Sequence, residues 1–189
     1  MKKLLTSALI LIAFSFTACD LISELVPDVD TDFSETFQIQ VLSNNGFSEV
    51  KSIDATDSDE YNDFKDNIEG FELRKITYLI KNLNAPEDMY FSGAIYCSNE
   101  EETESYTIGS MARAKLSDLE EAGLENEATP QAEHLDKVLS WLDSPGRFNV
   151  KAGYSLTTPD GTPYVIDGTS RGANFEVVVK FYLTVKTKV

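Results

Sequence analysis

The stretch Phe175-Glu176-Val177-Val178-Val179-Lys180-Phe181-Tyr182-Leu183-Thr184-Val185 decides the fold class. Phe175, Val177, Val179, Phe181, Leu183 and Val185 recur with a period of two, which puts six apolar side chains on one face of an extended strand. Aromatic and β-branched residues also favour that conformation. Upstream, Phe148, Val150, Ala152, Tyr154 and Leu156 repeat the alternation. Pro159-Asp160-Gly161 and Asp167-Gly168 supply turns between the two strands, with room for a short strand at 164–166.

Further toward the N-terminus the same period appears in Phe33, Glu35, Phe37, Ile39 and Val41, followed by Asn44-Asn45-Gly46, which reads as a hairpin turn into a weaker strand near 49–55. The segment 71–83, FELRKITYLIKNL, is a long strand whose apolar phase slips between Leu73 and Ile76, as a bulge would make it. Met89, Phe91, Ile95 and Cys97 share one face of the next strand. The acidic run 99–104 is an exposed tip, and 106–116 reads as extended. Cys97 falls on an apolar face with no base nearby in sequence, so it is read as a small buried hydrophobe rather than a nucleophile.

Helical spacing is the minority pattern. Asp57-Ser58-Asp59-Glu60 offers a cap and first-turn acids, Tyr61, Phe64 and Ile68 follow at helical intervals, and Gly70 suits a stop. Thr129-Pro130 opens a second helix with Ala132, Leu135, Val138, Leu139 and Leu142 on one face, ended by Ser144-Pro145-Gly146. Ser117-Asp118-Leu119-Glu120 has the spacing of a capping box and allows a helical turn as far as Gly123. One-sided strands separated by turns, with two short helices in crossover loops, predict an antiparallel β-sandwich over 33–189. The alternative is an α+β arrangement, an antiparallel sheet covered by the helices.

The N-terminus carries a different message. Met1-Lys2-Lys3 precedes an uncharged apolar run from Leu4 to Ala18, the layout of an export signal and too short for the ~20 residues of a membrane-spanning helix. The run ends in Phe16-Thr17-Ala18-Cys19, which resembles the lipobox of bacterial lipoproteins in the relaxed form found among Bacteroidota. The resemblance implies a signal peptide over 1–18, cleavage between Ala18 and Cys19, and lipidation of Cys19. Several acyl chains on one cysteine would hold the protein where a single chain is marginal. An ordinary secretory signal would instead leave Cys19 as a free thiol. Residues 20–32, rich in acids and lacking periodicity, read as a tether that reaches at most ~45 Å. The expected location is the cell envelope, at the outer rather than the inner membrane, with the domain periplasmic or exposed at the surface.

The 189-residue chain has 16 basic and 32 acidic residues, a net charge of −16, and loss of Lys2 and Lys3 with the signal takes it to −18. Such a charge repels nucleic acid, which is excluded as a partner. With a single histidine, His134, and two cysteines, a catalytic triad and His/Cys metal sites lack their residues. No cofactor is expected. Calcium needs only oxygens, and Asp54, Asp57 and Asp59 are its weak candidates, with helix capping as the plainer role. The alternating acids Asp28, Asp30 and Asp32 do not make an EF-hand, because Phe33 stands where that loop needs glycine.

The expected function is therefore non-catalytic: a lipid-anchored envelope protein whose domain serves a structural or protein-interaction role. The alternative is a glycan or small-ligand binding module, for which Tyr90, Tyr96, Trp141 and Tyr164 are the candidate aromatic platform. Each of these rings serves equally well as core or cross-strand filler. A hydrolase built on a carboxylate pair is the weakest reading, and it requires two acids to converge in a pocket with one of them holding its proton more tightly.

Overall fold

A computed structural model describes residues 28–41, 43–165 and 173–188. The expected signal segment, 1–18, and Cys19 lie outside the described residues. The described residues form nine strands: β1 (Val29–Gln40), β2 (Asn45–Phe47), β3 (Lys51–Asp54), β4 (Ile68–Asn84), β5 (Tyr90–Ser98), β6 (Ser105–Lys115), β7 (Asn126–Pro130), β8 (Arg147–Thr157) and β9 (Asn174–Thr187). Three short α-helices interrupt them: α1 (Asp59–Phe64), α2 (Leu116–Ala122) and α3 (Leu135–Asp143). Among the described residues no helix is long and apolar enough to cross a membrane.

The strands run antiparallel in the order β1-β9-β4-β7-β6-β5-β8-β2, with β3 also paired to β8. Short β7 is where the sheet turns over on itself. Its Ala128 pairs with Ile76 of β4, while its Thr129 pairs with Ser110 of β6. The two halves then face each other across an aromatic core. Phe91 of β5 meets Phe175 of β9 edge-on at 5.7 Å, and Phe148 of β8 meets Phe181 of β9 at the same distance. The expected β-sandwich is thus the observed architecture, and its two layers are halves of one curled sheet.

The alternation in β9 explains its central place: Phe175, Val177, Val179, Phe181, Leu183 and Val185 are all at most 2 % exposed. β1 pairs with it along its whole length, Phe33 opposite Phe181 and Phe37 opposite Val177. The slip between Leu73 and Ile76 is a register shift in the pairing of β4 with β9.

Several expectations need correction. β1 starts at Val29, so 29–32 belong to the sheet rather than to a tether. The acids read as solvated linker are the outer side of an edge strand, where Asp30 accepts from Arg74 at 2.6 Å and Asp32 pairs with Lys180 at 2.9 Å. Asn45 and Gly46 form no hairpin turn, because β1 finds its partner in β9 and the next residues cross to the other half to pair with β8. The first helix stops at Phe64, passing through a 3-10 turn into β4, so Ile68 and Gly70 are strand residues that pair with Thr187 and Lys186. Thr129 and Pro130 belong to β7, and α3 begins only at Leu135.

Among the described residues there are three α-helices rather than two, because the turn near Gly123 is a full helix. Its Leu116 and Leu119 are buried, and Gly123 ends it at φ 57°, a conformation that favours glycine. Its N-cap is Lys115, without a side-chain hydrogen bond, so the capping box does not form.

Candidate functional site

The four aromatic residues of the candidate platform are not brought together. Trp141 is 6 % exposed, on the buried side of α3, and stacks on Tyr106 at 6.0 Å. Tyr106 in turn meets His134 at 4.3 Å, so the sole histidine is part of a ring stack. Tyr90 lies under the Arg113 guanidinium at 4.2 Å, and Arg113 is itself held by Thr157 and the carbonyl of Thr158. Tyr164 leans on the core beyond β8, its backbone N–H donating to the Leu156 carbonyl. Trp141 edges a separate cleft with Glu100 and Lys137, and Tyr90 a shallow one with Asp88 and Lys115, while Tyr96 borders an open groove with Phe47.

That groove has a volume of about 490 Å³ and lies over the second half of the sheet, where β2, β8 and β5 run side by side. The pairing register lays out its floor. Asn45, Ser155 and Ser92 form one row across the three strands, and Phe47, Gly153 and Ala94 form the next. Lys151 and Tyr96 follow in a third. Rows on one face stand ~6.7 Å apart, and neighbouring strands ~4.8 Å apart.

Glycine at 153 makes the groove possible. A Cβ there would stand 2.8 Å from Tyr96 and 3.2 Å from Phe47, so the two rings settle over bare backbone. Phe47 meets Tyr96 edge-on at 5.4 Å, and the Lys151 ammonium lies 5.0 Å from the Phe47 ring centre. Phe47 remains 61 % exposed, which is high for so large an apolar ring. None of the residues lining the groove is acidic. Within the described residues, the side chains of Asn45, Ser92 and Ser155 make no hydrogen bond, so their donors and acceptors are free for a ligand.

The acids gather elsewhere. Asp32, Glu35, Asp54 and Asp57 line a narrower cleft of about 210 Å³ where the edge strand β1 passes β3. Two of them are committed to the fold. Asp32 pairs with Lys180, and Asp54 accepts from the Thr56 hydroxyl and backbone N–H, which holds its carboxyl below the usual range. Burial raises the proton affinity of Glu35; Lys51 opposes the shift, and Asp57 and Glu49 add to it. Asp59 begins α1, whose cap is Ser58, its Oγ accepting from the Tyr61 N–H at 3.0 Å. Among the described residues no three of His, Cys, Asp or Glu are grouped to hold a metal ion. Cys97 is fully buried, which drives its thiol well above the usual range.

Sequence reasoning missed Phe47, Gly153 and the row of Asn45, Ser92 and Ser155. The available signal was glycine inside strand patterns, at 46, 93 and 153, which marks close approach of other groups to the backbone.

No protein-family model matches the chain, and no curated protein matches it. Among solved structures, one of infectious bursal disease virus, Gx strain, is similar with a TM-score of 0.39 at 10 % identity; 86 % of this chain is covered, and it spans only 37 % of the viral chain. A structure of mud crab tombus-like virus is similar with a TM-score of 0.28 at 13 % identity, covering 87 % of this chain and 84 % of that one. Turnip yellow mosaic virus gives 0.28 at 12 % identity, covering 85 % and 96 %. Similarity this low carries no argument about function.

Proposed function

We propose that the chain is a lipid-anchored cell-envelope lipoprotein whose β-sandwich is non-catalytic and serves a structural or protein-interaction role outside the cytoplasm. The observation that carries this reading is Phe16-Thr17-Ala18-Cys19 at the end of an apolar run headed by Lys2-Lys3. The start of β1 at Val29 adds a geometric consequence. Nine residues, 20–28, lie between Cys19 and the sheet, so the domain is held within about 35 Å of the bilayer surface. A net charge of −18 after processing keeps that surface away from anionic headgroups.

Growth with radioactive palmitate tests the anchor. Label should enter the wild-type protein, and Cys19→Ala should lose the label and leave the membrane fraction. A wild-type protein that is unlabelled and soluble would overturn the anchor. Turnover of any substrate in a generic hydrolase panel by the purified protein would overturn the non-catalytic role.

A second reading, a glycan or small-ligand binding module, is favoured by one observation: the acid-free groove beside Tyr96, with the exposed Phe47 ring and three uncommitted polar side chains.

A further inference from the structure

We infer that the groove over Gly153 binds a hexopyranose unit of a neutral glycan chain, with Phe47 and Tyr96 as its apolar platform and Asn45, Ser92 and Ser155 as its hydrogen-bonding row. This rests on the binding-module reading and is independent of the anchor.

A pyranose presents two kinds of surface. Its axial C–H bonds make an apolar face that lies well on an aromatic ring, and its equatorial hydroxyls form a rim of donors and acceptors. The groove offers the complement of both. Phe47 is 61 % exposed, held edge-on by Tyr96 rather than by burial, and Gly153 leaves the space beside it open. The polar row of Asn45, Ser155 and Ser92 runs parallel, one step of ~6.7 Å away, within reach of the rim of a sugar seated on the rings.

Those three side chains make no hydrogen bond within the described residues, and each supplies both donor and acceptor capacity, as hydroxyl recognition requires. In a chain with twice as many acids as bases, the lining contains no carboxylate. That absence distinguishes the groove from the acidic cleft between β1 and β3 and suits an uncharged ligand.

The test uses the full-length protein in detergent micelles, titrated with mannohexaose, maltohexaose, cellohexaose and xylohexaose, the last lacking the hydroxymethyl group of a hexose. The readout is the NMR amide signals of Gly46, Gly93 and Gly153. A contact of one sugar unit predicts a dissociation constant on the order of 1 mM for a hexose chain. Phe47→Ala should weaken binding about tenfold, and so should the pair Ser92→Ala and Ser155→Ala. Both lie on exposed or half-buried positions, and circular dichroism verifies that each variant is folded.

Shifts confined to the three glycines and reduced in both variants support the site. Absence of shifts with every sugar, shifts at other residues, or retention of full affinity in folded Phe47→Ala would overturn it. A protein partner captured through Phe47 while every sugar is silent would also overturn it, in favour of a protein ligand. Palmitate labelling is unaffected by any of these outcomes, so failure of the groove and failure of the anchor are read separately.

Discussion

The Tyr96 ring lies across Gly153 on the neighbouring strand, so close that a Cβ at residue 153 would meet Tyr96 Cε2 at 2.8 Å. Gly93, one register step away on the other face, is tighter still: its Cβ would meet the Gly153 carbonyl oxygen and Met111 Cε, each at 2.5 Å. What must yield differs between the two. At 153 it is a half-buried ring with solvent beside it, whereas at 93 it is backbone and the sealed core.

Gly153→Ala should therefore change stability by no more than about 1 kcal/mol, since the lost chain entropy of glycine offsets part of the crowding. Gly93→Ala should cost about 2–3 kcal/mol, as overpacking of a closed site does. Urea unfolding of the two variants checks the order, and equal losses would mean that the Tyr96 ring cannot move aside. Near-ultraviolet circular dichroism should change in Gly153→Ala, because two aromatic side chains are displaced.

Phe148 and Phe181 join the two halves of the sheet edge-on at 5.7 Å, with interplanar angle 80°. A double-mutant cycle with Phe148→Leu and Phe181→Leu should return a coupling of about 0.5–1.5 kcal/mol. Strict additivity would show that the halves are not packed through these rings.

Cys97 is 0 % exposed, on the inner face of β5, and burial raises its thiol well above the ordinary range. Ellman's reagent should leave it untouched in the native protein and react once the chain is unfolded in guanidinium. Rapid reaction under native conditions would mean that β5 opens locally, at far less than the free energy of global unfolding.

The central strands were legible because a buried face imposes a strict period, as in Phe175 to Val185 and Phe148 to Leu156. The bulge after Leu73 was legible because a register slip shifts that period. The edges were not. Alternating acids look the same in a solvated tether and on the outside of an edge strand, and partners distant in sequence, Arg74 and Thr184 for Asp30 and Lys180 for Asp32, separate the two. Asn45-Gly46 carried a true turn signal, but its flanking strands do not pair with each other. The groove was illegible for the same reason. Phe47, Tyr96 and Gly153 become neighbours only through the pairing of β2 and β5 with β8, which no local pattern contains.

Glu35 faces the cleft between β1 and β3, where burial raises its proton affinity, Lys51 opposes the shift, and Asp57 and Glu49 add to it. The folded protein thus binds this proton more tightly than the unfolded chain does. Ionised Glu35 costs stability at neutral pH; the cost fades as pH falls through its folded-state value and is gone below the unfolded one. Glu35→Gln removes the charge and keeps the shape. The variant should melt slightly higher than wild type at pH 7, and the two should converge in acid. Thermal melts across that range decide it. A variant less stable at pH 7 would mean that attraction to Lys51 outweighs desolvation, and that β1 is held to β3 by an ion pair rather than strained by a buried charge.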